Sequence, residues 1–167
     1  MEDQRKQLLN DKVVETLNYR IQQEEHSSRI YEQLSLWLNN KGYLNFAKLF
    51  KNYSNEELVH AGFSKSYLLD YGLTPCLQSL PSPEMEVDDL LDVLEAAYDH
   101  ELIVTKQCED LATLALKEGN HVLYQLALRY CSEQQEEIGK SITNLDIYKL
   151  STDMLVIDNY IGKNLLD

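Results

Sequence analysis

Apolar residues recur along most of the chain at alternating spacings of three and four, the repeat of a helix that buries one face. The first stripe reads Val14, Leu17, Ile21, Glu24, Ser28, Tyr31, Ser35, Leu38, and the second Phe46, Phe50, Tyr53, Glu57, His60, Ser64, Tyr67, Tyr71. The third is Val87, Leu90, Leu94, Ala97, Glu101, Val104, Cys108, Leu111, Ala115. The fourth is Leu123, Leu126, Tyr130, Glu133, Glu137, Ser141, Asn144, Tyr148. These stripes predict long helices over about residues 6–39, 43–71, 85–117 and 121–148. A shorter helix over about 152–163 follows a Ser151 or Thr152 cap.

The breaks between stripes set the topology. Asn39-Asn40-Lys41-Gly42 and Lys117-Glu118-Gly119-Asn120 are tight turns, which make their flanking helices antiparallel. Pro75, Pro81 and Pro83 crowd into the stretch between the second and third helices, where helix is poorly tolerated. Segment 73–84 is long enough to return along the bundle before the third helix starts. The expectation is an all-α fold: a four-helix bundle with one long crossover and a short fifth C-terminal helix, one domain over 1–167.

Each stripe is interrupted near mid-helix by carboxylate: at Glu24, at Glu57 with His60, at Glu101, and in the run Ser132-Glu133-Gln134-Gln135-Glu136-Glu137. Glutamate is almost never fully buried unless paired, so any one of these alone reads as a satisfied core polar group or a surface residue. Four at one level read differently. Midpoints of antiparallel helices coincide, and a ring of inward carboxylates needs a cation against desolvation and mutual repulsion. Glu57 and His60 are three apart, hence neighbours on one helical face. Oxygen-rich coordination with one imidazole suits iron or manganese better than structural zinc. Two ions are the natural number, with Glu57 placed to bridge them.

Charge and composition agree with this picture without proving it. The chain carries 15 Lys+Arg against 28 Asp+Glu, a net −13, which argues against binding the phosphate backbone of nucleic acid. Cys76, Cys108 and Cys131 form no paired spacing, as suits a reducing compartment. No apolar run approaches the ~18 residues needed to span a bilayer, and Met1–Gln7 has no apolar signal core. A cytoplasmic protein with neither membrane nor nucleic-acid partner is expected.

The combination Leu17-Asn18, Glu24, Ser27-Ser28 and Tyr31, then Asn55-Glu56-Glu57-Leu58-Val59-His60, His100-Glu101 and Ser132–Glu137 resembles the bacterial non-haem ferritins. The resemblance covers nearly the whole chain and implies a ferritin-like fold. It also implies an enzyme, a ferroxidase that oxidises Fe(II) with O2 or H2O2 at an intrasubunit di-iron centre. Fe(III) mineral would then collect inside a homo-oligomeric shell of about 24 subunits. By the same resemblance Glu24, Glu57 and His60 hold one iron, and Glu57, Glu101 and Glu137 the other, with Gln134 hydrogen-bonding nearby. Tyr31 would stand beside the centre as an electron donor, and Glu56, Glu133, Glu136 and Glu137 would form a third, inward iron site.

Departures narrow the family. Leu58 stands where haem-binding relatives place methionine, and the fourth helix has no histidine, so haem is not expected. Arg129 stands where close relatives carry tryptophan; it would either pair with Glu133 four residues on or point to solvent. Asn120 replaces an acid often found at the channel turn, beside Glu118 and His121. His26 and His121 are expected at the surface and His100 away from the ligands. Met154, Leu155, Val156, Ile157, Tyr160 and Ile161 give the last helix a broad apolar surface, which the resemblance implies packs around a four-fold axis of the shell. The alternatives are a chiefly structural shell subunit with a slow centre, or a small di-iron enzyme of another type.

Overall fold

The computed structural model describes residues 9–166, which form five helices and no strand. α1 (Asp11–Lys41) and α2 (Leu44–Asp70) make one hairpin, and α3 (Leu90–Lys117) and α4 (His121–Tyr148) a second. The short α5 (Met154–Asn164) closes the chain. The start of the first helix near residue 6 falls outside the described residues. Within them the helix begins at Asp11, where the Asn10 side chain accepts from Val13 N at 2.9 Å.

Helix ends moved where capping chemistry was stronger than the stripe. α1 continues past residue 39 to Lys41, because Gly42 takes the left-handed conformation (φ 91°) that closes the last turn. α3 starts at Leu90 rather than near 85: Asp89 and Asp92 form a reciprocal capping box there, leaving Met85 and Val87 in the extended crossover. α5 starts at Met154, one residue beyond Asp153, which caps it in place of Ser151 or Thr152.

Partner pairs fix the topology. Along α1 the contacts Ser28–Ser54 and Ser35–Ala47 step backwards along α2, and Arg20–Gln107 and Ser27–His100 step backwards along α3. α1 is therefore antiparallel to both, so α2 and α3 are parallel and segment 71–89 returns along the bundle. That segment is tied to the outside of α1 by Cys76 N donating to Asn18 Oδ1 and Gln22 Nε2 donating to Ser79 O. The fold is a four-helix bundle with one long crossover, as expected. Among the described residues no helix is long and apolar enough to cross a membrane.

The interior divides into two apolar clusters with a polar waist between them. One cluster gathers Tyr31, Leu34, Leu38, Phe46, Phe50, Leu94 and Ile147, and the other Leu17, Ile21, Leu68, Val104, Leu111, Leu123 and Tyr130. Between them lie buried Glu24, Ser27, Ser28, Ser54, Glu57, His60, Glu101, Gln134 and Glu137. The stripes were right for most positions. Val14, Tyr71, Val87, Leu126 and Tyr148 are only partly covered, and Val13, Ala127 and Ile147 face inward instead.

α5 docks by a polar device. α2 has no side-chain cap of its own at Tyr43. The Asp158 carboxylate, 5% exposed, supplies one from α5, accepting from Phe46 N at 2.9 Å and from Asn45 N and Nδ2 at 3.1 and 3.0 Å. Ile157 and Ile161 join the first apolar cluster beside it.

Candidate metal centre

Each of the four bundle helices delivers one or two candidate ligand or partner side chains to the waist. Glu24 comes from α1, Glu57 and His60 from α2, Glu101 from α3, and Gln134 and Glu137 from α4. Glu24, Glu57 and His60 each offer a ligand atom, and these atoms lie within 4.8 Å of one another with all three residues buried. His60 Nδ1 stands 3.2 Å from Glu57 Oε2, as expected for a pair three apart on one helix. The Tyr130 hydroxyl donates to the His60 carbonyl at 2.8 Å and meets Ser64 Oγ at 2.8 Å, which anchors that turn of α2.

Glu101 is fully buried and holds fixed partners on both oxygens. The Tyr31 hydroxyl donates to Oε1, and Gln134 Nε2 donates to Oε2 at 2.6 Å. Glu57, Glu101 and Glu137 do not close to the span of the first trio among the described residues. The reason is visible in their partners: Tyr31 and Gln134 hold Glu101, while Lys140 Nζ draws Glu137 Oε1 to 2.9 Å.

The electrostatics are those of crowded acids. Burial, then the neighbouring Glu24, push the Glu57 carboxyl well above the ordinary carboxylate range. Burial raises Glu101, against the lowering effect of its hydrogen bonds from Tyr31 and Gln134. Burial raises Glu137 to about 7, against Lys140. Burial and the Glu101 charge also hold the Tyr31 phenol well above its usual value, so it is a protonated donor. Glu24 Oε2 has no hydrogen-bond partner although it is buried. An orphaned carboxylate oxygen facing a second carboxylate and an imidazole is what a cation would satisfy. Three oxygen- and nitrogen-bearing side chains with no thiolate suit iron or manganese.

Of the carboxylates of the expected inward site, Glu137 is buried in the waist and Glu56, Glu133 and Glu136 lie at the rim. Glu133 is partly covered, with Oε2 3.7 Å from His60 Nε2, and Glu136 is exposed. Burial of Glu133 on the fourth stripe is thereby corrected: Gln134, one residue on, takes the inward position. Glu56, His60, Phe63, Arg129, Glu133, Glu136, Glu137 and Lys140 are among the residues lining an open pocket of about 290 Å³ at the His60 side of the centre. Arg129 does not pair with Glu133 among the described residues. Its guanidinium lies 3.5 Å from the centroid of the Phe63 ring, because a planar cation stacks well on an aromatic face already at the pocket edge. His100 points away from the trio to Ser27 Oγ at 2.8 Å, as expected, and His121 is exposed. His26 is half-buried rather than a surface residue.

Two cations went unread in the sequence. Arg20, 2% exposed, puts Nε 2.7 Å from Glu24 Oε1 and donates from Nη1 to Gln107 Oε1 at 2.8 Å. Lys140 spans Glu137 and Glu56. Both were detectable as i, i+4 and i, i+3 partners of waist carboxylates.

The family model of the ferritin-like domain matches residues 14–146. A bacterial non-heme ferritin from Escherichia coli O6:H1 is 28% identical over 130 residues, 78% of this chain and 79% of that protein. One from Bacteroides fragilis strain 638R is 25% identical over 158 residues, 93% and 99% of the two chains. An open-pore ferritin from the hyperthermophilic archaeon Archaeoglobus fulgidus superimposes with a TM-score of 0.87 at 26% identity, covering 92% of this chain and 96% of that one.

Proposed function

The chain belongs to the ferritin family, and from that premise we propose that it is a cytoplasmic iron-storage protein with ferroxidase activity. Its subunits assemble into a homo-oligomeric shell of about 24. The observation that carries the reading is the buried trio of Glu24, Glu57 and His60 with an unpartnered carboxylate oxygen between two apolar clusters. Glu24, Glu57 and His60 bind one Fe(II). Glu57 bridges to a second, which Glu101 and Glu137 complete, Glu137 through the oxygen that Lys140 does not hold. Gln134 orients Glu101, and Tyr31 donates to it from the side opposite Gln134.

Iron here is substrate rather than resident cofactor. Anionic oxygen ligands favour the more highly charged Fe(III), lowering the potential of each bound ion. Two adjacent Fe(II) ions together deliver two electrons to one O2, which takes up two protons to leave as H2O2, or to one H2O2, which takes up two protons to leave as two waters. Burial pushes Glu57, Glu101 and Glu137 upward in the metal-free centre, and iron binding, which needs carboxylates, drives them towards the ionised form. Fe(III) then moves to the shell interior.

Stopped-flow mixing of the metal-free protein with Fe(II) and O2 at low iron loading tests this. Fast oxidation by the native chain, slowed to the solution rate in Glu57→Ala, is the expected result. Equal rates would leave a chiefly structural shell subunit, a reading favoured by the grip of Lys140 on Glu137.

A further inference from the structure

Lys140 lies where a metal ion would be expected. Its Nζ is 2.6 Å from Glu56 Oε2 and 2.9 Å from Glu137 Oε1, carboxylates of two different helices. The ring of Tyr53 stands under it at 5.4 Å, a third contact suited to a cation. The lysine is one helical turn beyond Glu137, so its stem starts on the correct face of α4 and needs no reach across solvent. We propose that Lys140 is a tethered cation that occupies the inward subsite between Glu56 and Glu137 and excludes a third metal ion from it.

The proposal rests on the ferroxidase reading above and goes beyond it. A metal ion bridging the same two oxygens would bind them at about 2.0–2.2 Å, inside the 2.6 and 2.9 Å contacts that the ammonium already makes. Two cations cannot share that space. Glu133 faces His60, and Glu136 is exposed. The lysine head is held by three contacts, Glu56, Glu137 and the Tyr53 ring, although a third of the side chain is exposed. Glu56 and Lys140 also line both the pocket beside His60 and a pocket of about 430 Å³ bounded by Leu49, Tyr53 and Asn144. The ion pair is thus the partition between them, and iron leaving the centre finds no third resting place at this point.

Anaerobic calorimetric titration of the assembled metal-free protein with Fe(II), repeated with Zn(II), reads the number of ions bound per chain. The native chain is expected to bind about two, and Lys140→Ala and the near-isosteric Lys140→Met about three. Lys140→Arg, which keeps the cation, should stay at about two, and adding Glu56→Gln to Lys140→Ala should remove the gained ion. About three ions in the native chain, or no gain in either neutral variant, overturns the proposal while leaving the di-iron centre standing. A native chain that binds none, with Glu57→Ala indistinguishable from it, overturns the centre and the proposal together.

Discussion

Removing the guanidinium of Arg20 tests whether the waist is balanced by the protein itself when no metal is present. Arg20 and Glu24 side chains are 3% and 2% exposed, with Nε 2.7 Å from Oε1. Two unit charges near 4 Å apart attract by about 4 kcal/mol at an effective dielectric of 20. Breaking one side of a buried pair costs about 3–5 kcal/mol, because the remaining charge is left uncompensated. Arg20→Met keeps the bulk of the stem and should destabilise the chelated protein by that amount, with the orphaned Gln107 Oε1 contributing part of it. Adding Glu24→Gln should recover most of the loss, since an amide needs no counter-charge. Urea or thermal unfolding of the four proteins in a double-mutant cycle gives the coupling directly. The cost should shrink when Zn(II) or anaerobic Fe(II) is present, because a metal on Glu24 replaces the missing cation. A loss below about 1 kcal/mol in the metal-free protein, or one that Glu24→Gln does not recover, would refute the reasoning.

Acidity of the waist gives a pH dependence of opposite sign to that of an ordinary acid-sensitive protein. The carboxyls of Glu57, Glu101 and Glu137 sit above their unfolded values, so the native state keeps protons that the unfolded chain has lost. Their contribution is greatest at low pH and is lost as pH rises through the folded values, that of Glu137 lying near 7. From an ordinary 4.5 to about 7 this is about 3 kcal/mol for Glu137; unfolding midpoints of the chelated protein should fall between pH 5 and 8 and flatten in Glu137→Gln, and a rising curve counts against it. Asp158→Ala removes the carboxylate that caps α2 and should loosen α5, at about 1–3 kcal/mol. Faster amide exchange over residues 154–164 and at Asn45 and Phe46 is the measurement, and unchanged protection there refutes the docking account.

How far the sequence could be read depended on whether a residue's partner was local. Helices, turns and crossover followed from periodicity, Gly42, Gly119 and the three prolines, because backbone constraints act within a few residues. The four carboxylate interruptions also stood out, since burial of acid is anomalous wherever it occurs. Helix starts were misjudged where the capping side chain lay further along, Asp89 beyond the apolar Met85 and Val87, and Asp153 beyond Ser151 and Thr152.

The chain's sequence by itself determined that four helices would bring Glu24, Glu57, His60, Glu101 and Glu137 to one level. Only the tertiary structure decided how those charges are shared. It put Arg20 on Glu24, Tyr31 and Gln134 on Glu101, Lys140 between Glu56 and Glu137, and Arg129 on Phe63 rather than on Glu133. Periodicity gives the face of a helix to within one residue, but the choice of Gln134 over Glu133 as the inward residue turns on that one residue. Spacing along one helix offers Arg20 to Glu24 and Lys140 to Glu137, but a long cation reaches several groups, and the second partners, Gln107 and Glu56, are chosen by desolvation and contact geometry across helices.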